Sequence, residues 1–296
     1  MKKLVMASVL SMAFSVGMAI LPEAHISVVP SVKVALAEQS QEVMTADGYG
    51  AMPANMPLPR AKMMARRAAI MDAQRNLIEI IKGAQVDAES SMDMYLLQSD
   101  VVKTKVSGMI KGAAVVSEGL EDGGYHVVMS VPMYGVGSVA DAAITAKLGD
   151  NPPAPTPAPA PSAQAVKEYE PAPQANIGGG YTGLVIDAKG SELVRTFCPA
   201  IYDVNGRAIY GVQNVDKDYA ISHGVVEYAE GADNWQGIGL GTTRAGSNPL
   251  IVKIVGLQER ATNKCDVIIS VEEADKILIE NQRSGFLNSY AVVFEK

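Results

Sequence analysis

The chain has 296 residues, 32 Asp and Glu against 25 Lys and Arg, a net charge of −7 and a pI near 5.1. Its cations are scattered rather than gathered on one stretch, so it lacks the basic footprint of a nucleic-acid-binding protein. Aromatic residues make up only 5%, and Ala, Val, Ile and Met carry the apolar content, which predicts modest cores of small residues with Met as filler.

Met1-Lys2-Lys3 gives a basic start, and Leu4 to Leu21 is almost wholly apolar. That is the layout of a secretory signal peptide, assigned here to residues 1–37. A small-x-small site at Ala35-Leu36-Ala37 is the expected cleavage point, and Gly17-Met18-Ala19 satisfies the same rule within a shorter leader. The rival is an uncleaved membrane anchor, because the apolar run is near the lower length limit for a spanning helix. Either way the remainder is expected in the periplasm or at the cell surface. Neither Cys198 nor Cys265 lies near the leader, so no thiol there can carry a lipid, and membrane contact is expected only through an uncleaved leader.

Without the leader about 259 residues remain, more than one core usually serves. Two domains are therefore expected, 38–148 and 181–296, around a Pro/Ala/Gly-rich linker at 149–180. In the first, residues 60–82 place Ala61, Ala65, Ala69, Ala73, Leu77, Ile80 and Ile81 on one side at helical spacing, with Arg67, Gln74 and Lys82 opposite. This predicts an amphipathic helix, started by Pro57 and Pro59, ended by Gly83 and able to lie close against a sheet through its alanines. Asp72 and Asn76 project near the centre of the stripe. They need hydrogen-bond partners, a backbone turn or Arg75 or Arg66, unless they mark a small ligand pocket. Three β-like runs follow, Ala84 to Glu89, Lys111 to Ser117 and Tyr125 to Val131, with a short helix near Ser99 to Val106 and a hairpin turn at Glu121-Asp122-Gly123-Gly124.

The run RAKMMARRAAIMDAQRNLIEIIKGAQVDAES, followed by SGMIKGAAVVSEGLEDGGYHVVMSVPM, resembles a bacterial envelope family. That family joins a 20-kDa surface lipoprotein to the N-terminal domain of the flagellar T-ring protein. Arg66, Arg67, Ala68, Asp72, Ala73, Arg75, Leu77, Gly83, Gly108, Gly112, Tyr125 and Val127 stand at matching places, over about residues 58–133. The resemblance implies an α+β envelope-assembly or surface module, in some members tied to the flagellum, with no catalytic residues to carry over. The chain departs from the lipoprotein members in lacking the lipidated Cys.

Prolines 152, 153, 155, 157, 159 and 161 alternate mainly with Ala, and Pro171 and Pro173 follow. Such a segment favours polyproline II, and Asn151 to Pro173 at roughly 3.1 Å per residue could span on the order of 70 Å as a disordered spacer. Its rival is a proline-rich ligand for a partner.

From Tyr181 come short β-like runs at Thr182 to Ile186, Ala200 to Val204, Ala208 to Tyr210, Leu250 to Gly256, Asp266 to Val271 and Tyr290 to Phe294, with an Asn205-Gly206 hairpin turn. An acidic helix is expected over Glu272 to Asn281. The fold class expected is therefore α+β, two small domains, each a mainly antiparallel sheet with a packed helix. Cys198 and Cys265 are a possible disulfide closing a loop of about 67 residues, the alternative being two buried thiols on separate strands.

Motifs for chemistry are thin. Gly237-Ile238-Gly239-Leu240-Gly241 resembles a phosphate loop, but Thr242 stands where GxGxxG needs glycine. His223 with Ser222, Asp216 and Asp218 lacks the GxSxG context of a triad. Arg244 with Ser247 and Asn248 forms either a turn before a strand or a cradle for an anion. No cofactor and no metal are expected. The reading is a non-enzymatic, exported envelope protein acting as an adaptor toward envelope or flagellar proteins. The alternatives are a glycan-binding module for peptidoglycan, using Trp235 as platform, and an envelope hydrolase. Candidate partner contacts are Asp72, Arg75, Asn76, Trp235 and Arg244.

Overall fold

The computed structural model describes residues 42–86, 90–168, 180–230, 243–258 and 263–296. The leader, Trp235, the Gly237 to Gly241 run and residues 169–179 of the linker fall outside them. The fold is α+β, as the sequence implies.

The N-terminal module opens with β1 (Val43–Ala51) and α1 (Leu58–Gly83). Pro59 sits in the first turn of α1, where a missing N–H costs nothing, and Ala61, Ala65, Ala69, Ala73, Leu77 and Ile81 are its buried stripe. Those alanines lie on Gly48 and Gly50 of β1 at backbone contact. A Cβ on Gly48 would stand 2.2 Å from the Ala69 carbonyl oxygen, and one on Gly50 2.0 Å from that of Ala65. Next come α2 (Met92–Gln98), α3 (Asp100–Lys111), β2 (Ala114–Glu121) and β3 (Gly124–Pro132). The antiparallel sheet has the order β1-β3-β2. Asp122 and Gly123 turn β2 into β3 with φ of 46° and 78°, the left-handed pair a two-residue hairpin needs. The strand expected over Ala84 to Glu89 is reduced to one bridge, Gln85 opposite Ser91, with residues 87–89 outside the described set.

The module ends in α4 (Val139–Leu148), in which every residue from Val139 to Thr145 is buried. On one side α4 packs on α2 and α3, and on the other on elements of the second module. Its buried charged residue, Asp141, is satisfied there. The carboxylate accepts from the Gly137 N–H (3.0 Å), Lys105 Nζ (2.9 Å) and Thr145 Oγ1 (3.2 Å). Burial pushes this carboxyl up, but those donors outweigh it and hold it below the ordinary aspartate value.

The linker from 149 to 168 is a docked strap, unlike the disordered spacer expected. Lys217 Nζ donates to the carbonyls of Gly149 and Asp150, Thr156 donates its N–H to the Gln213 carbonyl, and Ser162 donates N–H and Oγ to Asp275. Alternating prolines do hold the chain extended, but the Thr156 and Ser162 N–H groups find fixed acceptors on distant elements. A short helix, α5 (Ala163–Glu168), then packs on the later helix Val271–Ser284.

The C-terminal module contains β4 (Gly183–Asp187), β5 (Ile201–Asp203), β6 (Ala208–Tyr210), a single 3-10 turn at Val212–Asn214, α6 (Lys217–His223), β7 (Glu227–Ala229), β8 (Pro249–Lys253), β9 (Gly256–Leu257), β10 (Val267–Ile269), α7 (Val271–Ser284) and β11 (Val292–Glu295). One sheet has the order β7-β11-β4-β8, and all three of its pairings are parallel. The other, β6-β5-β10-β9, is parallel only between β5 and β10. The mainly antiparallel sheet expected here is thus corrected. The central strands β4 and β11 are buried on both faces, and strands so covered and linked by long crossovers pair in parallel. One contiguous apolar core runs from Ala46 through α1, α4 and Ile221 to Phe294, so the two modules share their interior.

Candidate functional site

Asp72, Arg75 and Asn76 sit where α1 crosses the free edge of β1. Asp72 accepts the Tyr49 N–H (3.1 Å) and a bond from Arg75, and Asn76 Nδ2 donates to the Asp47 carbonyl (2.7 Å). These side chains satisfy edge groups that β3 cannot reach, which is sheet-edge protection.

Charged, aromatic and apolar side chains of both modules converge in a cleft of about 270 Å³. Glu42 and Met44 enter it at the start of β1, Gln85 just after α1, and Met133 and Tyr134 after β3; the opposite wall carries Arg195, Thr196, Phe197, His223, Tyr228 and Arg244. The walls are bound together directly. Thr196 Oγ1 shares its hydrogen between the Gln85 and Val86 carbonyls (3.0 and 3.1 Å), and the Gly135 N–H donates to Ile221 (2.8 Å).

Tyr134 stands edge-on to Phe197, with ring centroids 6.1 Å apart. Burial raises its hydroxyl above the ordinary tyrosine value and Glu42 adds to the effect, while Arg244 and Arg195 oppose it. Tyr228 exchanges hydrogen bonds with the backbone of Thr196, accepting its N–H at 3.1 Å and donating to its carbonyl at 3.2 Å. Arg195 reaches over the Tyr228 ring (5.5 Å) to Glu230 (3.0 Å), a pair open to solvent.

Among the described residues, Arg244 is the one predicted contact residue that enters the cleft. Its guanidinium donates to the carbonyls of His223 and Gly224, where α6 ends, and its backbone N–H donates to Glu227 (2.7 Å). It thereby neutralises the orphan carbonyls and negative dipole end of α6. The Asn248 backbone is fixed by Thr182, donating its N–H to the Thr182 hydroxyl at 2.9 Å and accepting the Thr182 N–H on its carbonyl, which sets the turn before β8. The His223 ring stacks on Tyr219 at 4.5 Å, and Asp216 caps α6 by accepting the Tyr219 N–H. Cys198 and Cys265 are both buried, on segments laid side by side by the pairing of Ile201 with Val267.

A second concavity, about 560 Å³, runs between α1 and the α2–α3 pair over Ile78, Leu96, Val106 and Ile110. Among the described residues no helix is long and apolar enough to cross a membrane, and no group of three or more His, Cys, Asp or Glu could hold a metal ion.

Residues 183–294 match the family model described as Treponema pallidum Tp0624, second domain. The matched span, a little over a third of the chain, runs from the start of β4 into β11 and so contains both sheets of the C-terminal module. It includes the Arg195, His223 and Arg244 wall of the cleft, whereas Glu42 and Tyr134 lie outside it. No curated protein matches the chain.

Proposed function

We propose that this is an exported, non-enzymatic cell-envelope protein that acts as an assembly adaptor, through contacts of its N-terminal module with envelope or flagellar proteins. The carrying observation is where apolar surface is exposed. Of the nineteen large hydrophobic residues exposed among the described residues, fourteen lie between Val43 and Val136 and only five in the strap and C-terminal module. Met63, Met64 and Met71 on α1 and Leu97 on α2 are each 46 to 73% exposed. Met71 and Leu97 line one concavity between α1 and the α2–α3 pair, and exposed apolar surface of this kind marks interaction sites, where methionine adapts to irregular partners. The resemblance of this module to the lipoprotein and T-ring family supports the same reading.

The test is crosslinking in native cells with the wild-type chain and a Met63→Glu/Met71→Glu/Leu97→Glu variant whose circular dichroism is unchanged. Envelope or flagellar proteins should crosslink to the wild type and be lost from the variant. Retention of the same proteins by the variant, or recovery of cell-wall fragments alone, would overturn the proposal.

A further inference from the structure

The cleft between the modules has features that an apolar docking surface does not need. It is amphoteric. Arg195 and Glu42 act on the Tyr134 hydroxyl from different elements and in opposite directions. Arg244 is already committed to His223, Gly224 and Glu227, so it sets the local potential and is not available to grasp a ligand. Arg195 is available. Its partner Glu230 is 65% exposed and Arg195 itself 45%, and so open a pair is exchanged for a better-placed carboxylate at little cost. Glu42 is exposed and has no ion-pair partner among the described residues. The same cleft is lined by Met133, Phe197 and Val226, which give it an apolar wall.

From this we infer that the cleft binds a dipeptide-sized zwitterion, its carboxylate on Arg195, its ammonium on Glu42 and its apolar side chains against Phe197. The dimensions agree. A volume of about 270 Å³ is a space about 8 Å across, and two extended residues span about 7 Å. The site is independent of the exposed Met surface, so either reading can fail without the other.

The experiment is calorimetric titration of the full chain with alanyl-leucine, N-acetyl-alanyl-leucine and alanyl-leucine amide. The zwitterion should bind, and each capped form should bind about tenfold more weakly or worse, as expected for loss of one charge-assisted contact. Arg195→Ala should abolish the preference for the free carboxylate while keeping that for the free amine, and Glu42→Gln should do the converse. Both replace exposed side chains and should leave the circular dichroism spectrum intact. Equal binding of capped and free forms, absence of binding at millimolar concentration, or variants that keep both preferences would each overturn the inference.

Discussion

Replacing Gly48 by Ala tests the contact on which the N-terminal module is built. The new Cβ would lie 2.2 Å from the Ala69 oxygen and 2.3 Å from the Ala73 nitrogen, both backbone atoms that cannot rotate aside. Relief requires α1 to retreat from β1 by about 1 Å, and a gap of that size forfeits a quarter to a half of the dispersion along Ala65, Ala69 and Ala73. With overpacking of about 1–3 kcal/mol added and the strand's small gain from losing a glycine subtracted, the expected loss is about 3 kcal/mol. Gly119, on β2 of the same sheet, is the control, because a Cβ there meets nothing within 4 Å. Urea unfolding followed by far-ultraviolet circular dichroism compares the two at a common slope. If Gly48→Ala falls within about 0.5 kcal/mol of wild type, or Gly119→Ala costs as much, the reasoning about backbone contact is wrong.

Two further outcomes concern buried charge. Because the folded Asp141 carboxyl lies below its ordinary value of 3.8, the stability it contributes is complete above that pH and is lost as the pH falls through the lower, folded value. Asp141→Asn should therefore cost about 1–3 kcal/mol at pH 7, and the deficit should shrink in urea titrations near pH 3. Arg207 joins Asp203 and Asp275, whose side chains are 2 and 5% exposed, so Arg207→Met should destabilise by about 3–5 kcal/mol as two buried carboxylates lose their cation. The milder Ser162→Ala removes the strap's hydroxyl bond to Asp275 and should speed amide exchange at Thr156 and Ser162 about tenfold, with the core amides unchanged.

How far the sequence discloses the fold depends on how local each cause is. Helix α1 is legible because its alanines recur at helical spacing after two prolines, and the Asp122-Gly123 hairpin because left-handed residues are rare outside turns. Strand β1 is not, since its inner face is Ala46, Gly48 and Gly50, chosen for thinness and not for β propensity. Helix α4 hides for the opposite reason, because burial on all sides leaves no stripe to read. The parallel sheet escapes because β4 pairs with β8 and β11, segments brought to it only by the tertiary fold. The prolines disclose the strap's extended form but not the Gln213 and Asp275 acceptors that hold it. Cleft residues 42, 134, 195, 223 and 244 come from separate segments and share no motif, and only His223 and Arg244 stand out in the linear text.

The position of β11 governs the order in which this protein can be made. It fills the middle of the parallel sheet, between β7 and β4, so neither neighbour has its full set of ladder bonds until Val292–Glu295 arrives. A chain emerging N-terminus first can pair one edge of β4 with β8, but must keep the other edge open while more than a hundred residues separate Gly183 from the arrival of β11. Sheets closed this late fold slowly and expose strand edges meanwhile. Any truncation that reaches β11 removes the strand on which both β7 and β4 depend for their ladder bonds.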